Sequence, residues 1–161
     1  MKKTVSVVFG TFAPMHKGHI DLIQRAKREN ERAVVIVSGY DQDRGHQIGL
    51  GLQKRFRYIR ETFNDEPLVS VFKLDETGMP PYPEGWTPWL EALQALVAIK
   101  EDEELVFYVS EKGYAEELRS RGYLASFTER NFGISATLIR ENPAKYWNSI
   151  AKPFRRHFSK N

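Results

Sequence analysis

Cysteine is absent from the chain, which rules out disulfides and thiolate zinc sites and makes a cytoplasmic location the expectation. Long apolar runs are missing as well. No stretch approaches the ~18 uninterrupted apolar residues of a membrane-spanning helix. The opening Met1-Lys2-Lys3-Thr4-Val5 carries lysines, but the apolar run behind it stops at Gly10 without a small-residue cleavage site. That is the pattern of a strand, not of a signal peptide. Nor is there an excess of charge of one sign: 24 Lys and Arg face 21 Asp and Glu, a net charge of +3. So small a balance does not argue for a nucleic-acid surface, and it suits an anionic small ligand. No nucleic acid and no membrane are expected as partners. Internal repeats, low-complexity tracts and a Walker-type loop ending in Gly-Lys-Ser/Thr are all lacking.

What is present is ordinary for a globular chain: 161 residues, 41% hydrophobic and 28% charged. One domain over 1–161 is expected. Short β-branched runs alternate with segments of helical period, as in βα units stacked on a parallel sheet. Strands are expected at 4–9, 33–38, 69–74, 105–109 and 123–127. A helix is expected over about 15–29, burying His19, Leu22, Ile23 and Ala26. Another is expected over 52–63, with Phe56, Ile59 and Phe63 on one face, and a short one over 114–121, closed by Gly122. A polar loop should cover 39–49. The stretch 77–89 holds four prolines and the aromatics Tyr82, Trp86 and Trp89, which excludes regular structure there. Thr87 as N-cap and Pro88 at the first helical position should then start a helix to about residue 100. Ser135 and Asn142-Pro143 offer two further helix starts before the basic end Lys152-Pro153-Phe154-Arg155-Arg156-His157. The fold class is α/β: a Rossmann-like, doubly wound, mainly parallel five-stranded sheet with helices on both faces. Ligands bind such sheets beyond the carboxyl ends of the strands.

The chemistry concentrates in Gly10-Thr11-Phe12-Ala13-Pro14-Met15-His16-Lys17-Gly18-His19. His16 and His19 stand three apart at a helix start, so both face one side. Pro14 restricts the turn, Gly10 and Gly18 permit close backbone approach, and the unpaired N–H groups of the helix start favour phosphate. A zinc pair at this spacing lacks a third ligand nearby, so no metal held by protein side chains is expected. Further along, Ile134-Ser135-Ala136-Thr137-Leu138-Ile139-Arg140 combines a capping serine, a threonine able to bond phosphate and an arginine with fork geometry.

Gly10, Phe12, Pro14, His16, Gly18 and His19 resemble the signature of HxGH adenylyl- and cytidylyltransferases, and 134–140 is similar to the ISxTxIR motif of the same superfamily. Three further segments resemble the nicotinamide mononucleotide (NMN) adenylyltransferase domain of NadR-type proteins: the Pro/Trp stretch 77–89, Arg130-Asn131-Phe132, and Asn142-Pro143-Ala144-Lys145-Tyr146-Trp147 onward. The likeness runs over nearly the whole chain. Neither the helix-turn-helix segment of some NadR-type proteins nor the P-loop of their ribosylnicotinamide kinase domain is found, so neither DNA binding nor kinase activity is expected.

The resemblance implies an enzyme in which the NMN phosphate attacks the α-phosphorus of ATP, giving NAD and pyrophosphate. It implies that His16, His19 and Arg140 bind the triphosphate, with Mg²⁺ on the leaving pyrophosphate. Gly10, Thr11, Phe12, Gly18, Ser135, Thr137 and Arg130 complete the nucleotide side, and Ser110 and Glu111 contact the adenosine. Arg44, Arg55 and Arg57 are candidates for the acceptor phosphate. Tyr82, Trp86 and Trp89 are candidates to cover the pyridinium ring, since a cation over an aromatic face gains about 0.5–2 kcal/mol. Trp86, placed on the loop, is the first choice, while packing of Trp89 between helix and sheet is the competing reading. A sibling transferase acting on phosphopantetheine, or on CTP and a polyol phosphate, remains open, as do a nucleotide sensor without chemistry and a homo-oligomer. A class I aminoacyl-tRNA synthetase fragment is excluded by chain length and by the lack of a KMSKS-like loop.

Overall fold

A computed structural model describes residues 2–40, 42–129 and 134–158. The strands are β1 (Lys3–Gly10), β2 (Arg32–Gly39), β3 (Val69–Asp75), β4 (Glu103–Val109) and β5 (Leu124–Phe127). They form one sheet in the order β3-β2-β1-β4-β5, and every pairing is parallel. The expected five-stranded α/β sheet is therefore present, and it is wholly parallel. Chain order reverses about β1, and the crevice at such a switch point lies beyond the carboxyl ends of β1 and β4.

The helices are α1 (Lys17–Glu29), α2 (Arg44–Gln47), α3 (Leu52–Thr62), α4 (Trp86–Val97), α5 (Lys112–Ser120) and α6 (Ala136–Glu141), with 3₁₀ turns at Trp147–Ser149 and Lys152–His157. Among the described residues none is long and apolar enough to cross a membrane. Alternate strand residues feed two cores. Val35 and Val37 pack with Ile23 of α1, Ile59 of α3, Ile139 of α6 and Phe154. Val34, Ile36, Val5 and Val7 pack on the other face with Leu90 and Leu93 of α4 and Leu118 of α5. Burial on both faces explains why β1 and β2 read as continuous apolar runs.

Several local expectations are corrected. α4 begins at Trp86 with Gly85 as N-cap, so Thr87 is not the cap and Trp86 is not a loop residue. The Pro/Trp stretch winds directly into the helix, with Gly85 N–H donating to Pro81 O at 3.1 Å and Trp86 N–H to Pro83 O at 3.2 Å. Pro88 is tolerated because a first-turn N–H has no intrahelical partner to lose. Asn142 ends α6 instead of starting a new helix, and its Oδ1 accepts from Lys145 N–H at 3.3 Å, a local turn that competes with helix. The polar loop 39–49 contains α2, whose N-cap Asp43 accepts from His46 N–H. Ile23 and Ala26 of α1 are buried, whereas His19 and Leu22 are half-buried.

Candidate active site

β1 ends at Gly10, and the chain then crosses the carboxyl edge of the sheet before α1 begins. Phe12 holds a left-handed φ of 53° and buries its ring, edge-on to His19 at a centroid distance of 4.8 Å. A Cβ at Gly10 would lie 3.4 Å from the Phe12 ring, and one at Gly18 would lie 3.0 Å from His16 Cε1. A side chain at Gly10 would make ordinary contact with that ring, whereas one at Gly18 would crowd His16. At Gly18 the close ring of His16 is one reason for the missing side chain.

His16 is buried and caps α1. Its Nδ1 accepts from Gly18 N–H at 3.1 Å, and His19 Nδ1 accepts from His16 N–H at 3.1 Å, a reciprocal capping box made of two imidazoles. The rings stack with centroids 3.8 Å apart. An Nδ1 that accepts an N–H carries no proton, so each neutral ring bears its proton on Nε2. The helix start thereby sets the tautomer of both histidines and turns each into a donor at the ring edge away from the backbone.

The second motif meets this loop directly. Ser135 caps α6, its Oγ accepting from Leu138 N–H at 3.1 Å. Arg140 donates through Nη1 to Ala13 O at 2.7 Å and through Nη2 to Thr137 Oγ1 at 3.1 Å. Burial first, and the charge of Arg44 second, push the Arg140 pKa below its ordinary value. A desolvated guanidinium facing a second cation is relieved by an anion between them. Met15 O accepts from Ala151 N–H at 3.1 Å and His16 bridges to Ile150, so the C-terminal segment also seats the loop.

Of the other expected residues, Ser110 follows β4 at the same edge of the sheet, and Glu111 is the N-cap of α5. Thr11 is exposed, and its carbonyl is directed inward. Arg44 opens α2, near enough to Arg140 for its charge to act on that group. Arg57 lies midway along α3, over the Tyr58 ring, away from this edge. Arg130 lies outside the described residues. Arg55 is 0% exposed and its guanidinium is taken up by Thr11 O, Ser38 O, Leu50 O and Asp43. It cannot reach an acceptor phosphate, which corrects the expectation. Ser38 and Asp43 were not expected at the site. Their signals were a small polar residue at a strand end and a capping-type residue ahead of a basic one.

The aromatics separate into two kinds. Trp86 is 7% exposed and packs among Phe9, Trp89 and Tyr114. Trp89 donates from Nε1 to Ser38 Oγ at 3.0 Å. Both are wall residues, which corrects the picture of Trp86 as an open loop ring. Among the described residues Trp86 Nε1 is the buried side-chain polar atom without a partner. Tyr82 is 68% exposed, with its ring 6.4 Å from that of Trp86.

Comparison with known proteins places the chain in a family. The chain is 34% identical over 168 residues to the trifunctional NAD biosynthesis/regulator protein NadR of Escherichia coli K12, covering 95% of this chain and 41% of that protein. A NadR protein solved in complex with NR superposes with a TM-score of 0.89 at 45% identity, over 98% of this chain and 46% of the other. A NadR protein in complex with NAD and AMP-PNP gives 0.84 at 43% identity, over 99% and 48%. The chain spans less than half the length of each of these relatives. Residues 7–142 match the cytidylyltransferase-like family, and the chain belongs to that family of nucleotidyltransferases.

Proposed function

We propose that the chain joins ATP to NMN, forming NAD and pyrophosphate. The observation that carries this reading is the reciprocal capping of His16 and His19, which presents two Nε2 donors beside a helix N-terminus, with Arg140 bound to the same loop. Three fixed donors and a helix start suit a triphosphate.

In the reaction an NMN phosphate oxygen attacks the α-phosphorus, and the bond from that phosphorus to the bridging oxygen of the β-phosphate breaks. Both reactants are anions, so in-line placement and charge neutralisation make up the barrier, and no protein nucleophile is needed. His16, His19 and Arg140 hold the triphosphate and stabilise the charge that moves onto pyrophosphate. Thr137 orients Arg140, and Arg44 stands opposite it on the acceptor side. His16, His19 and Arg140 would share the triphosphate with Mg²⁺, which would supply further charge neutralisation when bound. The exposed ring of Tyr82, backed by the wall of Trp86 and Trp89, takes the pyridinium. The NadR structure that holds NAD and AMP-PNP supports the choice of acceptor.

Incubation of the pure protein with ATP, Mg²⁺ and NMN should yield NAD and pyrophosphate in equal amounts. No NAD above a His16→Ala control would overturn the reading. Parallel reactions with phosphopantetheine, or with CTP and a polyol phosphate, identify a sibling acceptor, while tight NAD binding without turnover identifies a sensor.

A further inference from the structure

Arg55 is a buried guanidinium that contributes nothing to the mechanism above, although it touches the nucleotide loop, the end of β2, the cap of α2 and the segment ahead of α3. Its Nη1 donates to Thr11 O at 2.7 Å, in the triphosphate loop, and to Ser38 O at 3.3 Å, at the end of β2. Nε donates to Leu50 O at 2.9 Å, ahead of α3. Nη2 pairs with Asp43 Oδ2 at 2.6 Å. Asp43 in turn accepts from Tyr40 N–H at 3.2 Å and His46 N–H at 2.8 Å, fixing the turn that carries Arg44. Ser38 continues the chain of contacts through its hydroxyl, which accepts from Trp89 of the aromatic wall.

The cavity around Arg55 is closely fitted. A Cβ at Gly39 would stand 2.5 Å from Asp43 Oδ2 and 2.6 Å from Arg55 Nη2, and one at Gly45 would stand 2.6 Å from Arg55 Nε. Breaking a buried pair strands the other charge, so such a pair holds one geometry firmly even where it adds little net stability. Only a planar fork with several donors reaches four acceptors in different directions; an ammonium is a point charge with three donors.

We propose that Arg55 is a positioning residue that couples the triphosphate half of the site to the acceptor half. It sets Thr11 of the nucleotide loop, Arg44 through Asp43, and Trp89 through Ser38 in one mutual register. The inference rests on the reading of the loop as the triphosphate site. Its consequence is that nucleotide bound at Thr11 steadies the Asp43 turn before the acceptor arrives, and that the two phosphates meet in line because one rigid group holds both walls.

Hydrogen exchange on the full chain, with Mg²⁺ and a non-hydrolysable ATP analogue, tests this without requiring turnover. In the wild type the analogue should slow exchange at the Gly18 amide and, through Arg55, at the Tyr40 and His46 amides. In Arg55→Lys the protection at Gly18 should persist and that at Tyr40 and His46 should be lost. In turnover kcat should fall about tenfold or more while KM for ATP stays within about threefold. Arg55→Lys with both protections and full kcat overturns the proposal. No protection at Gly18 in the wild type sinks the reading of the triphosphate site, and with it this inference. If Arg55→Lys does not fold, Ser38→Ala cuts only the link to Trp89 and should raise KM for NMN with KM for ATP unchanged. Unchanged kinetics for both substrates in that variant also overturn the proposal.

Discussion

Arg140 donates to the carbonyl oxygen of Ala13 at 2.7 Å across 127 positions of sequence. That bond joins the two motifs into one site, and it spends one arm of the fork on the loop while leaving the charge beside it. Arg140→Lys keeps the charge but cannot hold the loop and meet a phosphate together. We expect kcat/KM for ATP to fall about 10²-fold or more, the size of a lost preorganised donor. Steady-state kinetics check this; retention within threefold would refute the assignment.

His16 combines a helix cap with a donor, and the two roles can be separated. Asparagine is a good N-cap, whereas alanine at a cap costs about 1 kcal/mol. His16→Asn should therefore melt close to the wild type and His16→Ala below it, with turnover lost in both. Thermal unfolding and NAD formation, measured on the same samples, test the division.

Tyr82 is exposed at the rim and Trp86 is buried in the wall. Tyr82→Ala should raise KM for NMN by about 2- to 30-fold, the range of one cation–π contact, without lowering the melting temperature. Trp86→Ala should destabilise the fold, by about 3–5 kcal/mol for a large buried aromatic. Equal melting temperatures for the two variants would contradict the placement.

Glu76 follows β3, and burial, then the charge of Asp43, push its carboxyl pKa above the ordinary 4.5. The folded state binds this proton more tightly than the unfolded chain does. The stability attributable to Glu76 therefore falls as pH rises from about 4.5 through the raised value. Glu76→Gln should unfold at higher temperature than the wild type at pH 7, and the gap should close below pH 4.5. A pH series of melting curves showing no gap at pH 7 would remove the argument.

Gly45 sits where a Cβ would meet Leu50 O at 2.5 Å and Arg55 Nε at 2.6 Å. The first of these is backbone and cannot swing aside. Gly45→Ala is expected to cost about 1–3 kcal/mol, the usual range for overpacking, measurable by denaturant unfolding.

Much of the fold was legible because its signals are local or periodic. The apolar runs of β1 and β2, the 3.6-residue stripe of α1, and Ser135 ahead of α6 each state their structure within a few residues. The start of α4 was misplaced by two residues because a proline turn ran straight into it, and the pull of burial on Trp86 outweighed the capping preference of Thr87. Asn142-Pro143 was misread because an asparagine that caps its own turn looks the same as one that starts a helix.

The candidate site divides along the same line. Its sequence alone specifies a helix start with paired histidines, a second capped arginine motif and a parallel sheet to hold them, because spacing along one helix turn fixes which side chains share a face. Only the tertiary structure decided what each cation does. Arg44, Arg55 and Arg57 are equivalent basic residues in the sequence. Chain path puts the first within electrostatic reach of Arg140, the second inside the protein with four acceptors around it, and the third on the exposed flank of α3 over Tyr58. Burial and the direction of a guanidinium's partners depend on contacts between segments far apart in the chain, and no local pattern encodes them.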